Sequence, residues 1–144
     1  MTIAPFPHRY TVALENKWLL APHRAPILGG VPPQFGGSDE VWSPEELLVG
    51  AALLCAKTTF ESYAARAGIP VYSWSGNATG VLDRSATGPV FTSIVLEVDI
   101  ESEPGLEAQI EELLRKVERT CIVARALNAR VEILSTIRGH ARAS

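Results

Sequence analysis

Two cysteines, Cys55 and Cys121, carry the main chemical possibility in this chain of 144 residues, and they are its only cysteines. They lie 66 positions apart, whereas a structural zinc site needs short Cys/His spacings. Two interpretations stay open at this point. The thiols are either inert core residues, since cysteine packs like a small hydrophobe, or a redox pair. A reactive thiol needs its thiolate stabilised by a cation, a helix N-terminus or a hydrogen bond.

Cys55 falls within a long predicted helix. Ser43 and Glu46 form an S-x-x-E capping box that predicts its start, and Gly68 predicts its end after about residue 67. The first half, residues 47–54, is apolar on nearly every side, so we expect a sheet or a partner subunit to cover it. Cys55 lies too far from the helix start to benefit from the helix dipole. Its activation must therefore come from outside its own helix.

Glu45 is the carboxylate that the capping box leaves unexplained. It precedes Cys55 by ten residues, which is about 15 Å along a straight helix. The two side chains cannot meet within one chain if the helix is straight. If Glu45 serves the thiol of Cys55, it must do so across a dimer interface.

The other elements complete an α+β order. An opening hairpin, bent at Glu15–Asn16, precedes the long helix, and a second hairpin follows it. An amphipathic helix then begins near Pro104 and ends at Cys121, which lies on its apolar stripe, and a short turn follows to Asn128. Val90 and Ile94 are predicted to share one face of the second hairpin. The predicted strand ranges are 8–15, 17–28, 71–82, 90–100 and 129–137, and residues 138–144 form a polar tail expected to fray.

Composition excludes several classes of function. The length favours a single domain over residues 1–144, and a net charge of −3 with pI near 5.6 argues against a nucleic-acid surface. The longest apolar run, residues 47–56, is too short to span a membrane. No signal peptide is evident at the N-terminus, so a cytoplasmic location is expected. A disulfide there would be transient and catalytic.

Several segments together resemble one known family. They are the SPEELLVGAALLC segment with its cysteine ten residues after the glutamate, the preceding PPQFGGSDEVW loop, the amphipathic helix with Cys121, and the closing ARVEILSTI strand. Across about residues 10–137 the chain resembles the OsmC/Ohr family, the osmotically induced protein C and organic hydroperoxide resistance proteins. The resemblance implies the OsmC-like fold, an intertwined α+β homodimer with sheets around its central helices. Its two active sites would lie at the dimer interface.

The resemblance also implies the chemistry. Cys55 would be the peroxidatic thiolate that attacks an organic hydroperoxide, and Cys121 would resolve its sulfenic acid as a disulfide. A lipoyl-type dithiol would restore both thiols, and no organic or metal cofactor would be needed. Glu45 matches the family carboxylate that holds an arginine beside the reactive cysteine. The chain would then be a thiol-dependent peroxidase of the oxidative stress response.

The chain departs from the family pattern at two positions. The family arginine lies in the opening hairpin, where counting back from the helix reaches Lys17 and no arginine. Arg24 is the nearest downstream candidate for this catalytic cation, and Arg9 lies before the hairpin. The second difference is Ile122, which stands where a proline often follows the second cysteine.

Two alternatives remain beside the peroxidase. The fold could serve as a small-molecule binding or redox-sensing protein without efficient peroxidase turnover, which the missing arginine favours. A hot-dog-type thioesterase also wraps a sheet around a long apolar helix, and the cysteine pair would then be incidental.

Overall fold

The computed structural model describes residues 3–141, and these form two compact units that meet in sequence at Leu47/Leu48. The predicted α+β class is confirmed, while the single domain over residues 1–144 stays a prediction. The elements, in chain order, are β1 (Ala13–Glu15), β2 (Trp18–Leu20), β3 (Ile27–Leu28), a short 3-10 helix (Pro33–Phe35), α1 (Pro44–Arg66), β4 (Ser73–Ser85), β5 (Gly88–Ser102), α2 (Glu107–Thr120), α3 (Ile122–Ala126) and β6 (Arg130–Gly139).

The N-terminal unit contains a small antiparallel sheet in the order β1-β2-β3. The predicted bend is confirmed, because Asn16 has a φ of 54° between β1 and β2. The predicted hairpin arms are much longer than the strands, which cover only three, three and two residues. Pro22 and Pro26 explain part of this difference, because proline cannot donate a hydrogen bond to a neighbouring strand.

Helix α1 begins and ends where the sequence predicts. The Ser43 hydroxyl accepts a hydrogen bond from the Glu46 amide at 3.1 Å, and the Glu46 carboxylate accepts one from the Ser43 amide at 3.1 Å. At the other end, the amides of Gly68 and Ile69 bond back to the carbonyls of the last turn. Gly68 has a φ of 69°, so this is a Schellman termination.

A single chain covers only one side of α1. The buried side consists of residues at i, i+4 spacing: Ala52, Ala56, Phe60 and Ala64. Gly80 lets β4 approach this helix, since a Cβ there would lie 2.6 Å from a methyl of Val49. By contrast Leu54 is 62% exposed, although the sequence predicts a helix covered on most of its circumference. That part of the prediction is therefore not met within one chain.

The C-terminal unit contains a mixed sheet in the order β4-β5-β6. Strands β4 and β5 form the predicted hairpin, and β6 pairs with β5 in parallel. The inward face of β5 forms the centre of the core with Ile94, Leu96, Val98 and Ile100. Helices α2 and α3 make the crossover that a parallel pair requires.

A β-bulge corrects one predicted face. Val81 pairs with Ser93 and Leu82 pairs with Phe91, so Thr92 is an extra residue in β5. An extra residue reverses the alternation of side chains along the strand. Val90 is consequently 40% exposed and does not share the buried face of Ile94.

Strand β6 continues beyond the predicted end of the final strand. Arg138 forms ion pairs with Asp99 and Glu101 of β5, and the His140 amide donates to the Ser102 carbonyl at 2.9 Å. Fraying from Arg138 onward is therefore wrong for residues 138–140, while residues 142–144 lie outside the described part of the chain. Within residues 3–141, none of the helices has the length and apolar character needed to cross a membrane.

Candidate functional site

The structure brings Cys55 and Cys121 together in the C-terminal unit as free thiols. Cys55 is half-buried on α1, and its sulfur lies 3.8 Å from the hydroxyl oxygen of Thr59, one turn further along. Cys121 is 3% exposed and belongs to the hydrophobic core. The accessible thiol is thus Cys55, and the buried thiol is its neighbour.

Cys121 occupies a break between two helices, directly after the last residue of α2, close to the predicted end of the amphipathic helix at Cys121. Its amide still donates to the Val117 carbonyl at 2.8 Å, as in a helix. Its ψ of 121° then turns the chain out of the helical path, and its carbonyl accepts the Arg125 amide of α3 at 3.0 Å. The break directs the amides of Ile122 and Val123 at the sulfur of Cys55.

The two thiols have opposite pKa shifts. Burial raises the pKa of Cys55, but hydrogen bonds from the Cys121 thiol, the Val123 and Ile122 amides and Thr59 outweigh burial and lower it below 9.0. Burial is also the main cause that raises the pKa of Cys121 to about 11, followed by its hydrogen bond to Cys55. Cys55 is therefore the thiol that ionises first, and Cys121 is the proton donor that stabilises it.

A second polar contact lies two helical turns from Cys55. The hydroxyl of Tyr63, on α1, lies 2.5 Å from that of Thr120, the last residue of α2. The Lys116 ammonium stands 4.1 Å from the centre of the Tyr63 ring. Tyr63 was not among the site residues predicted from the sequence, although its i+8 spacing from Cys55, with Thr59 between them, places all three along one side of a helix.

Apolar side chains flank both thiols in the sequence. Leu54 precedes Cys55 and is 62% exposed, and Ile122 follows Cys121 and is 79% exposed. An exposed apolar side chain is thus the sequence neighbour of each cysteine.

The other predicted site residues belong to the N-terminal unit. Glu45 is in the first turn of α1, and its Oε2 is buried without a hydrogen-bond partner among the described residues. Arg24 is exposed, and its guanidinium donates to the His23 carbonyl at 3.4 Å. Lys17 and Arg9 are also exposed. The roles of Glu45 and Arg24 beside Cys55 stay predictions.

The described residues do not include a set of metal ligands. Among residues 3–141, no group of three or more His, Cys, Asp or Glu side chains is arranged to hold a metal ion.

The fold and the site together define an α+β protein with a hydrogen-bonded thiol pair. Comparison with known proteins gives the family: residues 37–135 match the family model described as OsmC-like protein, and the chain belongs to that family. The OsmC-like fold and the family resemblance predicted from the sequence are therefore confirmed.

Three relatives illustrate this membership. The uncharacterized protein YmaD of Bacillus subtilis is 28% identical over 111 residues, which cover 72% of this chain and 71% of YmaD. An OsmC-like protein of unknown function from Vibrio cholerae superposes with a TM-score of 0.78 at 21% identity, covering 92% of this chain and all of that one. An organic hydroperoxide resistance protein from Elizabethkingia anophelis superposes with a TM-score of 0.71 at 18% identity, covering 94% and 100%.

Proposed function

We propose that this protein is a thiol peroxidase that reduces organic hydroperoxides, with Cys55 as the attacking thiolate and Cys121 as the resolving thiol. The observation that carries the proposal is the placement of the half-buried Cys55 beside the buried Cys121, and the opposite directions of their pKa shifts support it. A peroxide-reducing pair needs one thiol ionised and accessible, and a second thiol protonated beside it. The Elizabethkingia relative named for organic hydroperoxide resistance supports the substrate class.

The first step forms a sulfenic acid. The Cys55 thiolate attacks one oxygen of the O–O bond and takes an OH group, and the alkoxide that leaves is protonated to the alcohol. Cys55 is oxidised by two electrons, and the hydroperoxide is reduced by two. The amides of Ile122 and Val123 and the Cys121 thiol hold the reacting thiolate before attack.

The second step forms the disulfide. The Cys121 sulfur attacks the sulfenic sulfur of Cys55, and the OH group leaves with the Cys121 proton as water. An external dithiol then attacks the disulfide, leaves both cysteines reduced and becomes a disulfide itself. We propose a lipoyl-type dithiol for this role in the cytoplasm, with no organic or metal cofactor.

We further propose that the working form is a homodimer. Leu54 belongs to the apolar stretch of α1 and is exposed in the single chain, so it marks a surface that a second copy would cover. The Oε2 of Glu45 is buried without a hydrogen-bond partner among the described residues, which supports a cation partner that it does not contact within the single chain. Arg24 is the proposed cation, and Arg24→Ala should slow the reaction of Cys55 with hydroperoxide more than Lys17→Ala or Arg9→Ala.

The central experiment mixes reduced protein with cumene hydroperoxide and counts the remaining free thiols. We expect both thiols to be lost in the wild type, with one molecule of cumyl alcohol formed per protein. Cys121→Ser should stop at a sulfenic acid on Cys55 that dimedone traps, and Cys55→Ser should not react. Two thiols that survive excess hydroperoxide in the wild type would overturn the proposal.

A redox-sensing protein is the second candidate. It is favoured by the fact that the groups that lower the pKa of Cys55 are hydrogen-bond donors and not a cation. Steady-state turnover separates the two candidates. A peroxidase consumes many equivalents of hydroperoxide when dihydrolipoamide is supplied, whereas a sensor forms one disulfide and is reduced slowly.

A further inference from the structure

The contact between Tyr63 and Thr120 lies outside the thiol chemistry described above, yet it joins the same two elements. Helix α1 carries both Cys55 and Tyr63, and the end of α2 carries both Thr120 and Cys121. A bond between Tyr63 and Thr120 therefore constrains where the next residue, Cys121, stands relative to Cys55. The Tyr63–Thr120 contact and the Cys55–Cys121 contact thus lie one after the other along α1, and both join α1 to the end of α2.

Counting hydrogens fixes the direction of this bond. The Thr120 hydroxyl lies 2.7 Å from the Lys116 carbonyl, which can only accept, so Thr120 donates its single hydrogen there. The Thr120 oxygen must then accept from Tyr63 at 2.5 Å. The Tyr63 hydroxyl is thus a donor with one defined acceptor, and removal of this hydroxyl leaves Thr120 without that partner.

The ring of Tyr63 is also held in place. The Lys116 ammonium lies 4.1 Å from its centre, on the turn of α2 that also supplies the carbonyl for Thr120. The ring therefore has one cation–π contact with Lys116, and its hydroxyl has one hydrogen bond to Thr120. Both contacts are with the last turn of α2, directly before the break at Cys121.

We propose that Tyr63 is a positioning residue for the thiol pair, holding the end of α2 so that Cys121 and the following amides face Cys55. This inference deepens the proposed function and rests on it for the redox role of the pair. The geometry itself is independent of any peroxide. Without the Tyr63 hydroxyl, the break at Cys121 can shift along α1, and its donors no longer point steadily at the Cys55 sulfur.

The test uses two readouts that need no hydroperoxide. The first is the pH midpoint of alkylation of Cys55 by iodoacetamide, followed by peptide mass spectrometry. The second labels Cys55 with 5,5′-dithiobis(2-nitrobenzoate) and times the release of thionitrobenzoate when Cys121 attacks the mixed disulfide. In that step the new Cys55–Cys121 bond forms as the bond to thionitrobenzoate breaks.

We expect Tyr63→Phe to raise the pH midpoint and to slow the release by about threefold to tenfold, the range that one lost hydrogen bond produces. Thr120→Val should change both readouts in the same direction. Thr120→Ser should leave both readouts at their wild-type values, because serine keeps the hydroxyl. Tyr72→Phe is the matched control, since it removes a phenolic hydroxyl that contacts Glu103 at 3.4 Å instead. It should leave both readouts unchanged.

Thermal unfolding, measured on the same samples, separates positioning from plain stabilisation. If Tyr63→Phe unfolds at a lower temperature but keeps the wild-type pH midpoint and release rate, the positioning role is overturned. If Tyr63→Phe does not fold, the pair Thr120→Val and Thr120→Ser decides, and equal values for the two overturn it as well. A wild type that passes both thiol tests but ignores cumene hydroperoxide would instead remove the proposed function and leave this inference standing.

Discussion

Cys121 donates and Cys55 accepts in the contact between the two thiols, and this one interaction shifts their pKa values in opposite directions. The asymmetry arises from position, since Cys121 is enclosed in the core and Cys55 is half-buried on α1. Each thiol is thereby suited to a different role before any oxidant arrives.

The first prediction concerns the reactivity of single thiols. Cys121→Ala should raise the pKa of Cys55, because it removes the largest of the groups that lower it while burial remains. Cys55→Ala should bring the pKa of Cys121 below about 11, because it removes both the hydrogen bond and the nearby negative charge. Thiolate absorbance at 240 nm against pH measures both. If the pH midpoints of thiolate absorbance stay at their wild-type values in these variants, the hydrogen bond between Cys55 and Cys121 is contradicted.

The second prediction concerns stability against pH under reducing conditions. The lowered pKa of Cys55 adds stability that is fully present above its unfolded value and is lost as pH falls through the folded value. The raised pKa of Cys121 adds stability that is present below 9.0 and is lost as pH rises toward about 11. The pair alone should thus favour a stability maximum near pH 9.

Urea unfolding of the wild type and of the Cys55→Ser/Cys121→Ser variant at pH 7, 9 and 10.5 checks this. The double variant serves as the control, because it keeps the titration of every other group. The difference in free energy of unfolding between the two proteins should fall above pH 9 by at most about 3 kcal/mol. A difference that is flat or rising above pH 9 would refute the prediction.

The third prediction concerns Glu45. Glu45→Gln should lower kcat/KM for cumene hydroperoxide by about tenfold to a hundredfold, the effect of losing a charged hydrogen bond. Glu46→Gln is the matched control, because glutamine still completes the capping box with Ser43. Equal kinetics in the two variants would exclude a role for Glu45.

The fourth prediction concerns the oligomeric state. The wild type should have the mass of a dimer in sedimentation experiments, and Leu54→Glu should shift it to the monomer because a charge cannot be buried there without a partner. Gln109→Glu adds the same charge on the exposed side of α2 and should leave the dimer intact. A monomeric wild type would remove the proposed interface.

Local signals predicted the limits of α1 correctly. The capping box and the αL glycine act within a few residues, so the sequence alone contains what fixes Ser43, Glu46 and Gly68. The alternation in β5 also predicted its buried face from Ile94 onward. The bulge at Thr92 could not be predicted, because a bulge is defined by the pairing of two strands and leaves no mark on one of them.

The candidate site was only partly predictable for a similar reason. The two cysteines were identified from residue type and resemblance. The end of the amphipathic helix at Cys121 was predicted to within one residue, but the short helix α3 after it was predicted only as a turn, because five residues are too few to show an apolar period. Tyr63 was missed because its partner, Thr120, is 57 residues away and the contact depends on how the two helices pack.

The parallel pairing of β5 and β6 has a mechanical consequence. The crossover that contains Cys121 leaves β5 after Ser102 and returns at Arg130, which pairs with Ser93, nine residues back along the same strand. Both ends of the crossover are thus fixed to strand β5. The pairing of β6 with β5 extends as far as Ser102 and Gly139. If the proposed disulfide forms, any displacement of Cys121 that it causes should be absorbed within residues 103–129. Oxidation should therefore act as a local hinge movement inside this segment while β4, β5 and β6 stay in place.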